Sequence, residues 1–165
     1  MRRIIVLMLL MIFSLVGCGK KDIQSDISES LGIDVRGTVL MDSDSHGGFH
    51  GDGMLFQQIS FEDSKLTDEI KDNDGWKPMP LSQNMEALVY GIEVDTSSIG
   101  PYLTDESGDT IIPDIQNGYY YLYDRHSESK DPFSDKDILN RTSFNFTLAL
   151  YDSDNHVLYY VEFDT

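Results

Sequence analysis

The stretch DSDSHGGFHGDG, residues 42–53, holds the densest group of side chains in this sequence that could do chemistry. It contains three aspartates, two histidines and four glycines. Carboxylate oxygens are the ligands that Ca²⁺ prefers, whereas imidazole nitrogens combined with carboxylates suit Zn²⁺. The candidate metal ligands are therefore Asp42, Asp44, His46, His50 and Asp52. The other interpretation, which carries more weight, is a polar loop that connects two strands.

The first half of this stretch resembles the start of an EF-hand calcium loop, D-x-[DN]-x-[DN]-G. His46 stands there in place of an oxygen ligand, and Gly53 occupies the twelfth position, where an EF-hand has a bidentate glutamate. A true EF-hand is therefore not expected. His46 and His50 have an H-x₃-H spacing, but glycines at 47, 48 and 51 argue against the helix that would bring both rings together. No cofactor is expected, with Ca²⁺ or Zn²⁺ as the alternative.

A second group of reactive residue types lies in YDRHSES, residues 123–129. Asp124, His126 and Ser127 are the types found in catalytic triads, but triads are defined by geometry, and the sequence has no G-x-S-x-G nucleophile turn. We interpret the group as charges at a strand end, and we hypothesise that Arg125 and His126 pair with the acidic loop. Exposed tyrosines of the preceding aromatic run could add a binding face. The candidate binding residues are Tyr119, Tyr121, Arg125 and His126.

The N-terminal residues MRRIIVLMLLMIFSLVGC are typical of an export signal. Two arginines precede an apolar run that is shorter than the roughly 20 residues of a membrane-spanning helix. The end of the run, Leu15-Val16-Gly17-Cys18, resembles the lipobox of bacterial lipoproteins. The resemblance implies cleavage before Cys18, the only cysteine, and attachment of a diacylglyceryl group to its sulfur. Such a protein is held at the cell membrane by its lipid and faces away from the cytoplasm.

These features divide the chain into a signal peptide (1–17), a lipidated cysteine with a polar tether (18–31) and a globular domain (32–165). Acidic residues outnumber basic ones by 29 to 12, which gives a net charge of −17. A surface of this charge repels nucleic acid, so no nucleic-acid partner is expected. The expected partners are the membrane, through the lipid anchor, and a protein or peptide.

Hydrophobic periodicity predicts an α+β fold, with one domain, a mainly antiparallel sheet and one or two short helices. Alternating apolar residues predict strands at 33–41, 54–61, 118–124, 142–151 and 156–164. The first strand is expected to bury one face, formed by Ile33, Val35, Val39 and Met41. The turn residues DSDN join the last two strands into a hairpin. Helical spacing predicts short helices at 62–73 and 81–91, the second capped by Ser82.

Taken together, these observations favour a membrane-anchored surface lipoprotein whose domain is a non-catalytic binding or interaction module. Two alternatives stay open. One is a metal-binding module that uses the 42–52 loop, and the other is an exported hydrolase that uses histidine and acidic groups. The lack of a catalytic sequence signature argues against an enzyme.

Overall fold

Eight strands and three helices make up the part of the chain that the structure, a computed structural model, describes: residues 22–47 and 51–165. The strands are β1 (Thr38–Asp44), β2 (Gly53–Ser60), β3 (Trp76–Pro78), β4 (Ile92–Val94), β5 (Ser97–Ile99), β6 (Gly118–Asp124), β7 (Asn145–Asp152) and β8 (Val157–Asp164). The helices are α1 (Ile23–Leu31), α2 (Lys65–Lys71) and α3 (Gln83–Val89). Six strands form one antiparallel sheet in the order β1-β2-β8-β7-β6-β3, and β4 pairs separately with β5. The predicted α+β fold with a mainly antiparallel sheet is confirmed.

The hairpin of β7 and β8 forms the centre of the sheet. Its register runs from Asn145 opposite Asp164 to Asp152 opposite Val157. The Asp152 carboxylate accepts the backbone N–H groups of the next turn residues, at 2.9 Å from Asp154 and 3.1 Å from Asn155. This is the local chemistry by which aspartate stabilises tight turns. The hairpin that alternation and turn residues predict is thus confirmed.

The helices α2 and α3 lie where helical spacing predicts them. In α2, Leu66 and Ile70 lie one turn apart and are both buried. The Ser82 hydroxyl accepts the backbone N–H of Met85 at 3.2 Å and so caps α3 as predicted. No helix within residues 22–47 and 51–165 is long and apolar enough to cross a membrane.

Both faces of the sheet are covered, which makes the molecule three layers thick. One face packs against α3 and the loops around it, and the other packs against α1 and α2. Along β7, Leu148 and Leu150 point into the first core, while Ala149 and Tyr151 point into the second. Because alternate residues enter opposite cores, β7 is buried along almost its whole length.

The prediction of a half-buried strand at 33–41 is wrong in position, and its expected burial is wrong for Val39 and Met41. Ile33 and Val35 are buried, but they precede the strand and pack in the second core. The strand itself begins at Thr38, and Val39 and Met41 are exposed. The physical reason is that β1 is the outermost strand of the sheet, so neither covering layer reaches it.

The predicted tether, residues 18–31, is wrong from residue 23 onward. Residues 23–31 form α1, which begins after Asp22, whose carboxylate caps the helix. Ile27 and Leu31 are each only 1% exposed and belong to the second core. Apolar residues four positions apart form a stripe along one side of a helix, and this stripe packs α1 onto the sheet. The domain therefore begins about ten residues earlier than predicted.

Alkaline pH is expected to unfold the domain because many tyrosines are buried. Burial raises the pKa of six of them: Tyr90, Tyr120, Tyr121, Tyr151, Tyr159 and Tyr160. The ordinary tyrosine pKa is 10.0, and that of Tyr90 rises to about 12. A raised folded-state pKa contributes stability that is fully present below the unfolded value and is lost as pH rises through the folded value.

The measurement is far-UV circular dichroism and tyrosinate absorbance on the same samples, from neutral pH upward. Stability is expected to fall from about pH 10, with tyrosinate absorbance rising together with the loss of secondary structure. Complete ionisation of the tyrosines near pH 10 with an intact dichroism spectrum would contradict the prediction.

Candidate functional site

The two outermost strands of the sheet, β1 and β3, differ in how much backbone they offer to another molecule. β3 has three residues, includes Pro78 and buries Trp76, so little of its backbone can accept another strand. β1 has seven residues, TVLMDSD, with no proline or lysine, and all seven are exposed. Long edge strands are usually covered, shortened or interrupted by a bulge, charged residues or proline, and in β1 the register shift near Leu40 leaves only Met41–Asp44 as a regular, uncovered ladder. The open strand β1 is therefore the first part of the candidate site.

β1 also exposes three consecutive apolar residues. Val39, Leu40 and Met41 expose 42%, 53% and 53% of their surfaces. Val39 lies opposite Ile59 and Met41 opposite Gln58, so these apolar side chains are offered on both faces of the sheet at its outer edge, where no other part of the described chain covers them. Between Val39 and Met41 the register with β2 shifts by one residue, so Leu40 has no partner in β2. We call residues 39–44, with these apolar groups and the two aspartates that follow, the β1 edge.

A charged cluster holds the end of β1 in place; we define it as Asp44, His46, Arg125 and Asp164. The ring of His46 lies between two carboxylates, with Nδ1 2.8 Å from Asp44 Oδ1 and Nε2 3.3 Å from Asp164 Oδ2. Arg125 Nη2 lies 3.1 Å from Asp164 Oδ1 and also donates to the carbonyl of Phe146 at 3.0 Å. The cluster therefore joins the start of the 45–52 loop to the end of β8 and to the residue that follows β6.

The charge of Asp44 is stabilised within this cluster. Its Oδ1 accepts the backbone N–H of His46 at 2.9 Å in addition to contacting the ring. The backbone hydrogen bond, followed by the ring contact, lowers the pKa of Asp44 below its ordinary value of 3.8. Asp44 is therefore ionised at neutral pH, although its side chain remains 56% exposed.

The predicted pairing of the acidic loop with Arg125 and His126 takes an indirect form. Arg125 reaches the loop through Asp164, which in turn contacts His46. His126 lies apart from the cluster, with its Nε2 3.2 Å from the Ser143 hydroxyl. The sequence interpretation missed Asp164. Alternation along β8 was a usable signal, because it places Glu162 and Asp164 on the face opposite Phe163.

Of the four predicted metal ligands within residues 22–47 and 51–165, only Asp44 and His46 contact each other. Asp42 Oδ1 accepts the side-chain amide of Gln57 at 3.0 Å, Asp44 contacts His46, and Asp52 is exposed. Within residues 22–47 and 51–165, no group of three or more His, Cys, Asp or Glu residues could hold a metal ion. His50, like Cys18, lies outside the described residues. The Ca²⁺ or Zn²⁺ alternative therefore stays a prediction.

His126 does not form a triad with its sequence neighbours. Its Nδ1 accepts the backbone N–H of Glu128 at 3.2 Å, so the ring proton resides on Nε2 and points to Ser143. A general base must have a free nitrogen to take the proton of a hydroxyl nucleophile, and this tautomer has none facing Ser143. Asp124 accepts the backbone N–H of His126 and pairs with Arg141 at 2.6 Å. These contacts are those of a structural role.

The predicted binding role of Tyr121 is wrong. Its ring is 6% exposed and packs against Trp76, with the ring centroids 5.6 Å apart, and its hydroxyl donates to the carbonyl of Ser30. Tyr119 is half-buried against the same core. The reason is that Tyr119 and Tyr121 point to the side of the sheet that α1 covers, and β3 pairs with β6 at these residues. Their rings therefore pack in the interior.

Two clefts lie beside α1 and α2, with volumes of about 730 and 500 Å³. Both are lined by Asp34, Arg36 and Glu69, and neither has a histidine or cysteine among its lining residues. The hydrogen bond from the Arg36 side chain lowers the pKa of Asp34 to about 2. A carboxylate with so low a pKa is a poor general acid or base at neutral pH.

The fold and the site together define a three-layer α+β domain with one protected and one open sheet edge. No family model, curated protein or solved structure matches this chain.

Proposed function

We propose that this protein is a lipid-anchored, non-catalytic binding module at the outer surface of the cell membrane and that the β1 edge is its contact surface. The single observation that carries the proposal is the seven-residue open strand β1, in which the β1 edge exposes three adjacent apolar residues. Apolar surface of this kind is costly to leave in water unless a partner covers it.

The lipid anchor rests on the resemblance of Leu15-Val16-Gly17-Cys18 to a lipobox. Asp22 already caps α1, so four peptide units separate the cysteine from the folded domain. Fully extended, they span about 14 Å. A lipid on Cys18 would therefore hold the domain close to the membrane surface, with little freedom to extend away from it.

The non-catalytic assignment is supported by the histidine contacts. His46 has carboxylates facing both ring nitrogens, and His126 donates to Ser143 in the wrong tautomer for a general base. The net charge of −17 supports a protein or peptide partner with basic groups over a nucleic acid.

The lipid anchor is tested by Cys18→Ala in the full chain expressed in a bacterium. The unaltered protein is expected to sediment with membranes and to incorporate labelled palmitate, whereas the variant loses the label because the acylated sulfur is absent. Ser98→Ala, an exposed change between small side chains, serves as the control. Undiminished palmitate incorporation by Cys18→Ala would overturn the anchor.

The contact surface is tested with a photo-reactive amino acid placed at Met41 in the same cells. The matched control carries it at Asp74, an exposed residue near the other edge of the sheet. Position 41 is expected to give protein adducts that position 74 does not. Equal adducts at both positions, or none at position 41, would remove the β1 edge from the proposal.

A further inference from the structure

We infer that the β1 edge, if it is the contact surface proposed above, binds an extended segment of a partner protein as an additional antiparallel strand. The segment would alternate basic and apolar residues, with Lys or Arg opposite Asp42 and Asp44. This inference rests on three independent features of the edge: its backbone groups, its side-chain alternation and its charge.

The backbone of Asp42 and Asp44 faces away from the sheet. The Ser45 N–H donates to the carbonyl of Met54 at 3.0 Å, so Ser45 directs its backbone towards β2. Residues of an antiparallel pair alternate between facing the partner strand and facing outward. Ser43 therefore faces β2, whereas Asp42 and Asp44 direct their N–H and C=O groups outward. An added strand would find two donors and two acceptors in register.

The bulge at Leu40 sets where the added strand can pair. From Met41 to Asp44 the register with β2 is regular, and at Leu40 it is broken. A bulge twists an edge strand away from flat pairing. The regular ladder of the partner is thus confined to Met41–Asp44, and Val39 and Leu40 offer apolar contact beyond its end.

The side chains of the edge alternate in chemistry as well as in direction. Asp42 lies opposite Gln57 and Asp44 opposite Leu55, so both carboxylates share one face of the sheet, and Met41 and Ser43 lie on the other. Each carboxylate makes its described contacts through Oδ1, Asp42 with Gln57 and Asp44 with His46. The second oxygen of each can accept a cationic side chain from the neighbouring strand. Opposite charges across a strand pair are favourable, and like charges are not.

The negative charge of the β1 edge also distinguishes between the molecules that could bind there. A second copy of this chain would bring another net charge of −17 to the same surface. Anionic headgroups of a bilayer would meet Asp42 and Asp44 directly, and like charges repel. A basic, extended polypeptide is not repelled by these charges. Its backbone can hydrogen-bond to the outward N–H and C=O groups of β1, and its alternate basic side chains can pair with Asp42 and Asp44.

The test measures, by calorimetry, the binding of a capped peptide in which lysine alternates with valine to the full chain in detergent micelles. The control peptide has glutamate in place of each lysine, and no binding of it is expected. Asp42→Asn removes the charge and is expected to weaken binding by about two- to fivefold. Asp42→Pro also removes the outward N–H and is expected to weaken it by about tenfold or more.

Asp42→Pro leaves the ladder with β2 intact, because the lost N–H faces outward and proline is tolerated on an edge strand. Its dichroism spectrum and melting temperature check that the fold is kept. Asp74→Asn, the same change at an exposed site near β3, is expected to bind the lysine peptide like the unaltered chain.

The outcomes separate this inference from the proposed function. If Asp42→Pro binds as well as Asp42→Asn, strand addition is overturned, and adducts at position 41 would still support the contact surface. If the glutamate peptide binds equally, the basic partner is overturned. If the chain with Cys18→Ala binds vesicles of anionic lipid and Leu40→Ser abolishes this, the edge contacts lipid, and the inferred protein partner is wrong.

Discussion

Replacing Arg141 with alanine is expected to lower the free energy of unfolding by about 3–5 kcal/mol. Arg141 Nη1 lies 2.6 Å from Asp124 Oδ2, and the two side chains are 8% and 0% exposed. Removing one member of such a pair leaves a buried carboxylate without a counter-charge, which is far more costly than losing an exposed pair. This pair also links Arg141, in the loop before β7, to Asp124 at the end of β6. Loss of the pair is therefore expected to loosen the loop between β6 and β7.

The control for this prediction is Arg36→Ala. Arg36 also pairs with an aspartate, Asp34, but its side chain is 75% exposed, so its loss is expected to change the free energy of unfolding far less than the loss of Arg141. Both variants are compared by denaturant unfolding at neutral pH. A second variant, Asp124→Leu with Arg141→Met, removes both charges and is expected to recover most of the stability. Equal small losses for Arg141→Ala and Arg36→Ala would contradict the buried pair.

Replacing Leu31 with alanine is expected to cost about 2–5 kcal/mol, the range for deleting a buried leucine side chain. Leu31 closes α1, is 1% exposed and packs in the core beneath the helix with Ile27 and Tyr160. If residues 18–31 were a tether, the same change would have no effect on unfolding. The variant therefore separates a helix that belongs to the domain from a segment that only links it to the lipid.

Glu29→Ala is the control for Leu31→Ala, because Glu29 is an exposed residue of the same helix. Its effect is expected to stay within about 0.5 kcal/mol, as for most surface changes. Denaturant unfolding of both variants, with a common slope, provides the comparison. A loss below about 1 kcal/mol for Leu31→Ala would show that α1 contributes little to the core.

The central strands were predictable because the hydrophobic pattern of their sequence matches their buried position in the sheet. In β7 and β8, alternation places Leu148 and Val161 in the same core, and the DSDN turn fixes their register. The short helices α2 and α3 were predictable for the same reason, since Leu66 and Ile70 follow the helical period and Ser82 caps the second helix.

The errors at β1 and α1 have different physical causes. Apolar alternation in residues 33–41 carries no information on whether a strand lies inside a sheet or at its edge, so the exposure of Val39 and Met41 could not be read from it. The helix α1 was missed because polar residues dominate its composition. Its signal was present, however, in the four-residue spacing of Ile23, Ile27 and Leu31 after Asp22.

The charged cluster could be predicted only in part. Arg125 and His46 stood out by type, and a link between the regions that hold them was expected. Their connection through Asp164 depends on β8 lying beside β2, where Gly53 pairs with Asp164. That adjacency is a property of the whole topology, since neither the turns nor the local periodicity specify which distant strands pair.

The position of β8 within the sheet also determines when the protein can fold. β8 is the last of the described strands along the chain, yet it lies between β2 and β7, with Ile59 opposite Leu158. Until residues 157–164 have been synthesised, the β1–β2 hairpin has no sheet to join, and such distant pairing forms slowly. The sheet is therefore expected to close only when this last described strand is available, and β2 and β7 each lack one neighbouring strand until then.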